Sequence, residues 1–128
     1  MGSPAAKQGD TIVAVDNHSV IPDGSMSSTM MPLPFNGIID GGLCQSVNIM
    51  GVPAATVDST ATNTPPHIPS GFQFVNTPGD EATIAQGSGS VFLGGKAAAR
   101  SGDKADTCND DGAPQGGTII AAGSVFIG

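Results

Sequence analysis

A chain of 128 residues with a formal net charge of −7 and four Lys or Arg in all has no basic patch to offer a nucleic acid or an anionic membrane. Its 19 Gly and 10 Pro, with 4% aromatic residues and neither Trp nor Tyr, argue against helices packed around large anchors. One small all-β domain over residues 1–128 is expected, with a core weak enough to gain from a metal or a docked partner.

In chain order, residues 5–15 read as a strand that leaves the segment Pro4–Asp10 and is extended by Ile12, Val13 and Val15. Residues 16–43 are expected to be the longest irregular stretch. They hold His18, Met26, Met30 and Met31, with the methionines packing beneath the loop, and Pro32-Leu33-Pro34-Phe35, whose alternate prolines disfavour helix and central strand. A hairpin is predicted at about 45–59, then a loop from Thr60 to Ala85 with His67 among Pro65, Pro66 and Pro69. A second hairpin covers about 88–102, followed by an acidic loop from Lys104 to Gly117 with Cys108, and a last strand from Thr118 to Ile127. No segment has a helical period; Lys96–Arg100 reads as strand because its aligned copies contain Pro4 and Pro53. No apolar run approaches the roughly 20 residues that span a bilayer, and no signal peptide is visible. Cytoplasmic synthesis without stable membrane insertion is the expectation.

Internal repetition organises the chain. In Ser90–Asp103, Val91 and Leu93 alternate with Phe92, Gly94 and Gly95 can take the positive φ of a tight turn, and Ala97 to Ser101 return. Ser46–Ser59 is a copy, with Val47 on Val91, Ile49 on Leu93, Gly51 on Gly95 and Ala54-Ala55 on Ala98-Ala99. A third copy is split between the ends: Ser124–Gly128 matches Ser90–Gly94, and Pro4–Asp10 matches Ala97–Asp103. That placement predicts three β-hairpins around a pseudo-threefold axis, the third completed by the N- and C-terminal strands. The turns Met50-Gly51-Val52, Gly94-Gly95-Lys96 and Gly128 with Met1-Gly2 then share one end, the base, and the long loops form an apex.

The metal-capable residues follow from the same alignment. His18 follows Asp10 at the interval by which His67 follows Ser59, Cys108 lies early in the third loop, and Cys44 stands at the apical edge before Ser46. The only two His and two Cys thus converge on the apex, and two imidazoles with two thiolates suit one structural, tetrahedral Zn²⁺. A Cys44–Cys108 disulfide is the competing use of the thiols, disfavoured by a cytoplasmic origin; His67 and His18 could also be plain loop residues, and Cys44 an ordinary small buried residue before a strand. A Cys nucleophile with a His base is formally available but competes for the same four residues. Paired carboxylates for acid–base work could be drawn from Asp10, Asp58 and Asp103, but Asp10 and Asp103 sit in turns where Asp commonly bonds its own backbone. Gly94-Gly95 is no phosphate loop, since no GK[ST] follows.

Pro4-Ala5-Ala6-Lys7 with Gly9-Asp10, the copies Pro53-Ala54-Ala55 and Ala97–Asp103, and the closing Gly123–Gly128 resemble the PAAR-repeat proteins, tip proteins of contractile injection systems such as type VI secretion and phage-tail-like particles. The resemblance implies a small cone of three hairpin repeats whose base caps a trimeric β-helical spike, one tip per trimer, with assembly on the particle and ejection toward a target cell. Cargo effectors are further candidate partners. It also implies a zinc ion near the sharp end, held in the family by three His and one Cys. His18, His67 and Cys108 fit by position; with no third His, Cys44 is expected as the fourth ligand. No effector extension is expected, because the repeats fill the chain from Pro4 to Gly128. The alternative is a free-standing zinc-stabilised β-module that binds another protein.

Overall fold

The computed structural model describes residues 2–110, 112 and 114–128, and the described chain contains strands and turns but no helix. It opens with β1 (Ser3–Pro4), then the long strands β2 (Thr11–Pro22) and β3 (Thr29–Gly41). β4 (Cys44–Ile49), β5 (Val52–Ala54), β6 (Thr60–Asn63), β7 (Phe72–Phe74) and β8 (Glu81–Ile84) follow. The last are β9 (Phe92–Leu93), β10 (Lys96–Ala97), β11 (Lys104–Asp106), β12 (Gly117–Ile120) and β13 (Phe126–Ile127).

Turn chemistry sets the hairpins. Ile49 faces Val52 across Met50 (φ 51°) and Gly51 (φ 87°), and Leu93 faces Lys96 across Gly94 (φ 60°) and Gly95 (φ 87°). Two consecutive positive φ values make the turn whose twist matches the flanking strands. The third hairpin joins the chain ends: Ser3 pairs with Ile127 and Pro4 with Phe126. Gly2 has no room for a Cβ there, because one would run into the Ile127 carbonyl. Met1, expected in this base turn, lies outside the described residues.

The three hairpins interlock cyclically. Ala5 bridges Arg100, Ala54 bridges Lys7 and Ala98 bridges Thr56. At the axis the Ala6 N–H donates to the Ala99 carbonyl (3.0 Å), Ala99 to Ala55 (3.1 Å) and Ala55 to Ala6 (3.0 Å), and all three alanines are fully buried. Only small side chains fit where three backbones meet. Beyond them the chain turns upward. Asp10 Oδ2 accepts the Lys7 N–H (3.0 Å), Asp103 Oδ2 accepts the Arg100 N–H (2.8 Å), and Ser59 Oγ accepts the Thr56 N–H (3.0 Å). The first two are the backbone contacts expected of aspartates in such turns, and Ser59 makes the equivalent one in its repeat.

Above the hairpins each expected loop contributes strands, and residues 16–43 are mostly sheet. A closed barrel runs β12-β11-β8-β6-β3-β2 and back to β12, with β7 added on β2. Each repeat gives it one strand pair: β2/β3, β6/β8 and β11/β12. Residues 16–43, expected to be irregular, instead complete a long hairpin paired from Thr11–Ile38 to Val20–Thr29. The prolines permit it because the Asn36 N–H turns away from β2 to Asn63 Oδ1 (2.9 Å), and Pro34 and Pro32 repeat that orientation at every second residue. Their missing N–H groups cost the ladder nothing, and they guard an open edge. The methionines do not pack beneath a loop: Met26 is fully exposed in the β2–β3 turn and Met30 is half exposed. The predicted last strand breaks into β12 and β13.

Two cores result. Ala5, Ile49, Ala54, Ala98 and Ile127 fill the space between the hairpins. Ile12, Phe35, Ile39, Ala61, Ala82, Ile84, Ala105 and Ile119 fill the barrel with the axial alanines. Ile39, Ile84 and Ile119 are repeat equivalents, each donating its N–H to the carbonyl of Asp10, Ser59 or Asp103.

Candidate metal centre

Strand alternation carries polar side chains into the barrel. On β2 the buried line runs Ile12, Asp16, His18, Val20, all but fully enclosed, so a carboxylate and an imidazole continue an apolar face. His67 arrives from the loop after β6, anchored where Asp80 Oδ1 accepts its backbone N–H (2.9 Å) and the Asn63 side-chain amide (3.0 Å). Cys108 follows β11 and packs on the barrel core. Phe35 lies beneath His67 with ring centroids 6.3 Å apart.

These four side chains converge. Asp16 Oδ2 is 3.2 Å from Cys108 Sγ and 3.3 Å from His67 Nε2. His18 Nε2 is 3.8 Å from Cys108 Sγ and 3.9 Å from Asp16 Oδ2. All four donor atoms lie within 4.8 Å of one another. Ligand bonds of 2.0–2.3 Å in a tetrahedron put neighbouring donors about 3.3–3.8 Å apart, so the group needs little movement to close on one ion. The Thr107 hydroxyl donates to Asp16 Oδ1, which leaves Oδ2 to face the other donors. The His18 ring is held edge-on between His67 (4.8 Å) and Phe74 (5.7 Å).

The electrostatics suit a dication. Burial first, then the Asp16 carboxylate, push the Cys108 thiol up to about 12; the Asp80 backbone N–H, donating to the sulfur, opposes them. Without a metal the thiol is therefore a proton donor to Asp16. A divalent ion would displace that proton, and the Asp16 and Cys108 anions would then neutralise its charge inside a buried pocket.

Of the expected ligands, His18, His67 and Cys108 come together and Cys44 does not. Cys44 begins β4 opposite Ala54 and packs on the core between the hairpins. Its sulfur is 3.4 Å from Ser46 Oγ and accepts the backbone N–H groups of Ser46 and Val47. Repeat alignment explains why: Cys44 is the counterpart of Ser88, whose Oγ accepts the N–H groups of Ser90 (3.1 Å) and Val91 (3.0 Å). The position is a backbone cap. Both cysteines are free, so the disulfide alternative is not formed. The fourth donor beside His18, His67 and Cys108 is Asp16. The signal in the sequence is an Asp-x-His pair, which shares one face only if residues 16–43 form strand and not loop.

The expected base residues all lie on the hairpins. Met50, Gly51, Gly94, Gly95, Lys96 and Gly128 are exposed, and Gly2 and Val52 are partly buried. Lys96 is paired at the surface with Asp58 (3.0 Å).

A family model described as the PAAR motif matches residues 36–110, more than half of the chain. That span includes two hairpins, His67 and Cys108, while Asp16 and His18 reach the site through β2. No curated protein matches the sequence. Among the described residues no helix is long and apolar enough to cross a membrane.

Proposed function

This chain belongs to the PAAR-motif family, and on that premise we propose that it is a non-enzymatic spike tip of a contractile injection system, of the type VI secretion or phage-tail-like kind. The cyclic bridging of Ala5, Ala54 and Ala98 by Arg100, Lys7 and Thr56 carries the reading. It gives one polypeptide three equivalent hairpins to set against three identical subunits of a trimeric β-helical spike, one tip per trimer. The base turns Gly2, Met50–Val52, Gly94–Lys96 and Gly128 face the spike. Exposed apolar side chains support this end as the docking face: Met50, Phe92 (61%) and Phe126 (60%) project from the hairpins.

Asp16, His18, His67 and Cys108 hold a single structural Zn²⁺, which ties β2, the loop after β6 and the segment after β11 together at the end that leads into the target envelope. Envelope passage comes from the force of a contracting sheath. A Cys–His hydrolase fits poorly: both His sit at the Asp16 cluster, where the Cys108 thiol is held protonated, and Cys44 has neither beside it.

Co-purification with a trimeric spike at one copy per trimer is the expected result. A monomer indifferent to spike protein would leave the free-standing zinc module as the better reading. Elemental analysis should return one zinc per chain.

A further inference from the structure

We infer that Asp110 is a positioning residue for the metal centre: its carboxylate receives the Nδ1 proton of His18 and so fixes Nε2 as the nitrogen that faces the ion. The inference rests on the zinc reading above and concerns a residue outside the four donors. His18 is fully buried, and among the described residues its Nδ1 is the buried side-chain polar atom that lacks a hydrogen bond. The Asp110 carboxylate is its charged neighbour, with Oδ2 at 3.4 Å from Nδ1.

Asp110 is not there by accident of side-chain rotation. Its backbone N–H donates to the Asn17 carbonyl (2.7 Å), and its Oδ2 accepts the Ser19 N–H (2.9 Å). It therefore clasps β2 on both sides of His18, which holds the carboxylate at the imidazole whatever the metal does. The segment Cys108–Asp110 thus brings to His18 both a thiol, at Nε2, and a carboxylate, at Nδ1. An orphaned buried N–H is costly, and small closure of the 3.4 Å gap as Nε2 turns toward the ion would satisfy it. A carboxylate behind a ligating imidazole fixes its tautomer and raises its basicity, and removing such a partner weakens metal binding by roughly 10–100-fold.

Asp110→Asn tests the carboxylate's charge, because the amide oxygen can still accept the Ser19 N–H but cannot raise the basicity of the His18 ring as an anion does. Zinc affinity measured against a competing chelator should fall at least about tenfold, while the metal-free variant keeps its denaturation midpoint. In the zinc-loaded parent, imidazole ¹⁵N spectra should show a proton on His18 Nδ1 with a strongly hydrogen-bonded shift, and that shift should relax in Asp110→Asn. Asp110→Glu should restore part of the affinity. Parental affinity in Asp110→Asn, or a His18 bound through Nδ1, would overturn the assignment with the zinc reading intact. A parent that takes up no zinc would overturn the zinc reading, and Asp110's role with it.

Discussion

Cys44 and Ser88 occupy the same place in successive hairpins, and each side chain accepts the backbone N–H groups two and three residues on. In Cys44 this arrangement, led by the Ser46 hydroxyl, lowers the thiol from its ordinary value. Cys108 is pushed the other way, up to about 12. A thiol probe near pH 8 should therefore label Cys44 first and Cys108 slowly or not at all. Cys44→Ser should abolish the fast phase without changing metal stoichiometry. Fast labelling that survives in Cys44→Ser would refute the assignment.

His67→Ala and Cys108→Ala should each lower zinc content and melting temperature together. A ligand held at 1,000 times its Kd adds about 4 kcal/mol, which for a domain of this size is on the order of 10 °C or more. Calorimetry with and without chelator measures it. Either variant retaining one zinc per chain would drop out of the ligand set.

Metal-free protein should also respond to pH through Cys108. Its thiol is raised in the fold from 9.0 to about 12, so it supports the folded state below pH 9 and loses that support as pH climbs toward 12. Denaturant midpoints in chelator should decline across this window, and Cys108→Ser should flatten the decline. Zinc affinity should run the opposite way and weaken as pH falls, because protons compete for the sulfur. A zinc affinity independent of pH would count against thiolate ligation.

The turn between β9 and β10 should fail under Gly95→Val. Gly95 has a φ of 87° and open space around an added Cβ, so the cost is conformational. A left-handed backbone costs an L-residue roughly 1–2 kcal/mol and a β-branched one more. Conversely Met50, a non-glycine with φ 51° in the equivalent turn, should gain up to about 1 kcal/mol when changed to Gly. Urea unfolding of both variants checks the pair, with opposite signs expected.

At the axis, Ala99→Val should cost about 1–3 kcal/mol by overpacking, since Ala6, Ala55 and Ala99 bond one another with no exposed surface. A melting temperature equal to the parent's would show that the axis has slack.

The hairpins and their closure could be read directly from the chain, because a tight turn is local chemistry and repetition reveals which segments share a role. Gly94-Gly95 announces its turn, and Pro4–Asp10 announces its missing half at Ser124–Gly128. The barrel could not be read that way. Whether Pro32 and Pro34 break a strand depends on which edge their nitrogens face, and only the neighbours β2 and Asn63 decide that. The site followed suit: His18, His67 and Cys108 were marked by scarcity and repeat position. Asp16 was one acidic residue among 11 Asp and Glu until strand alternation turned it inward. Cys44 shows the converse, since donor chemistry is a property of a side chain but coordination is a property of distance, and its strand holds it among the hairpins.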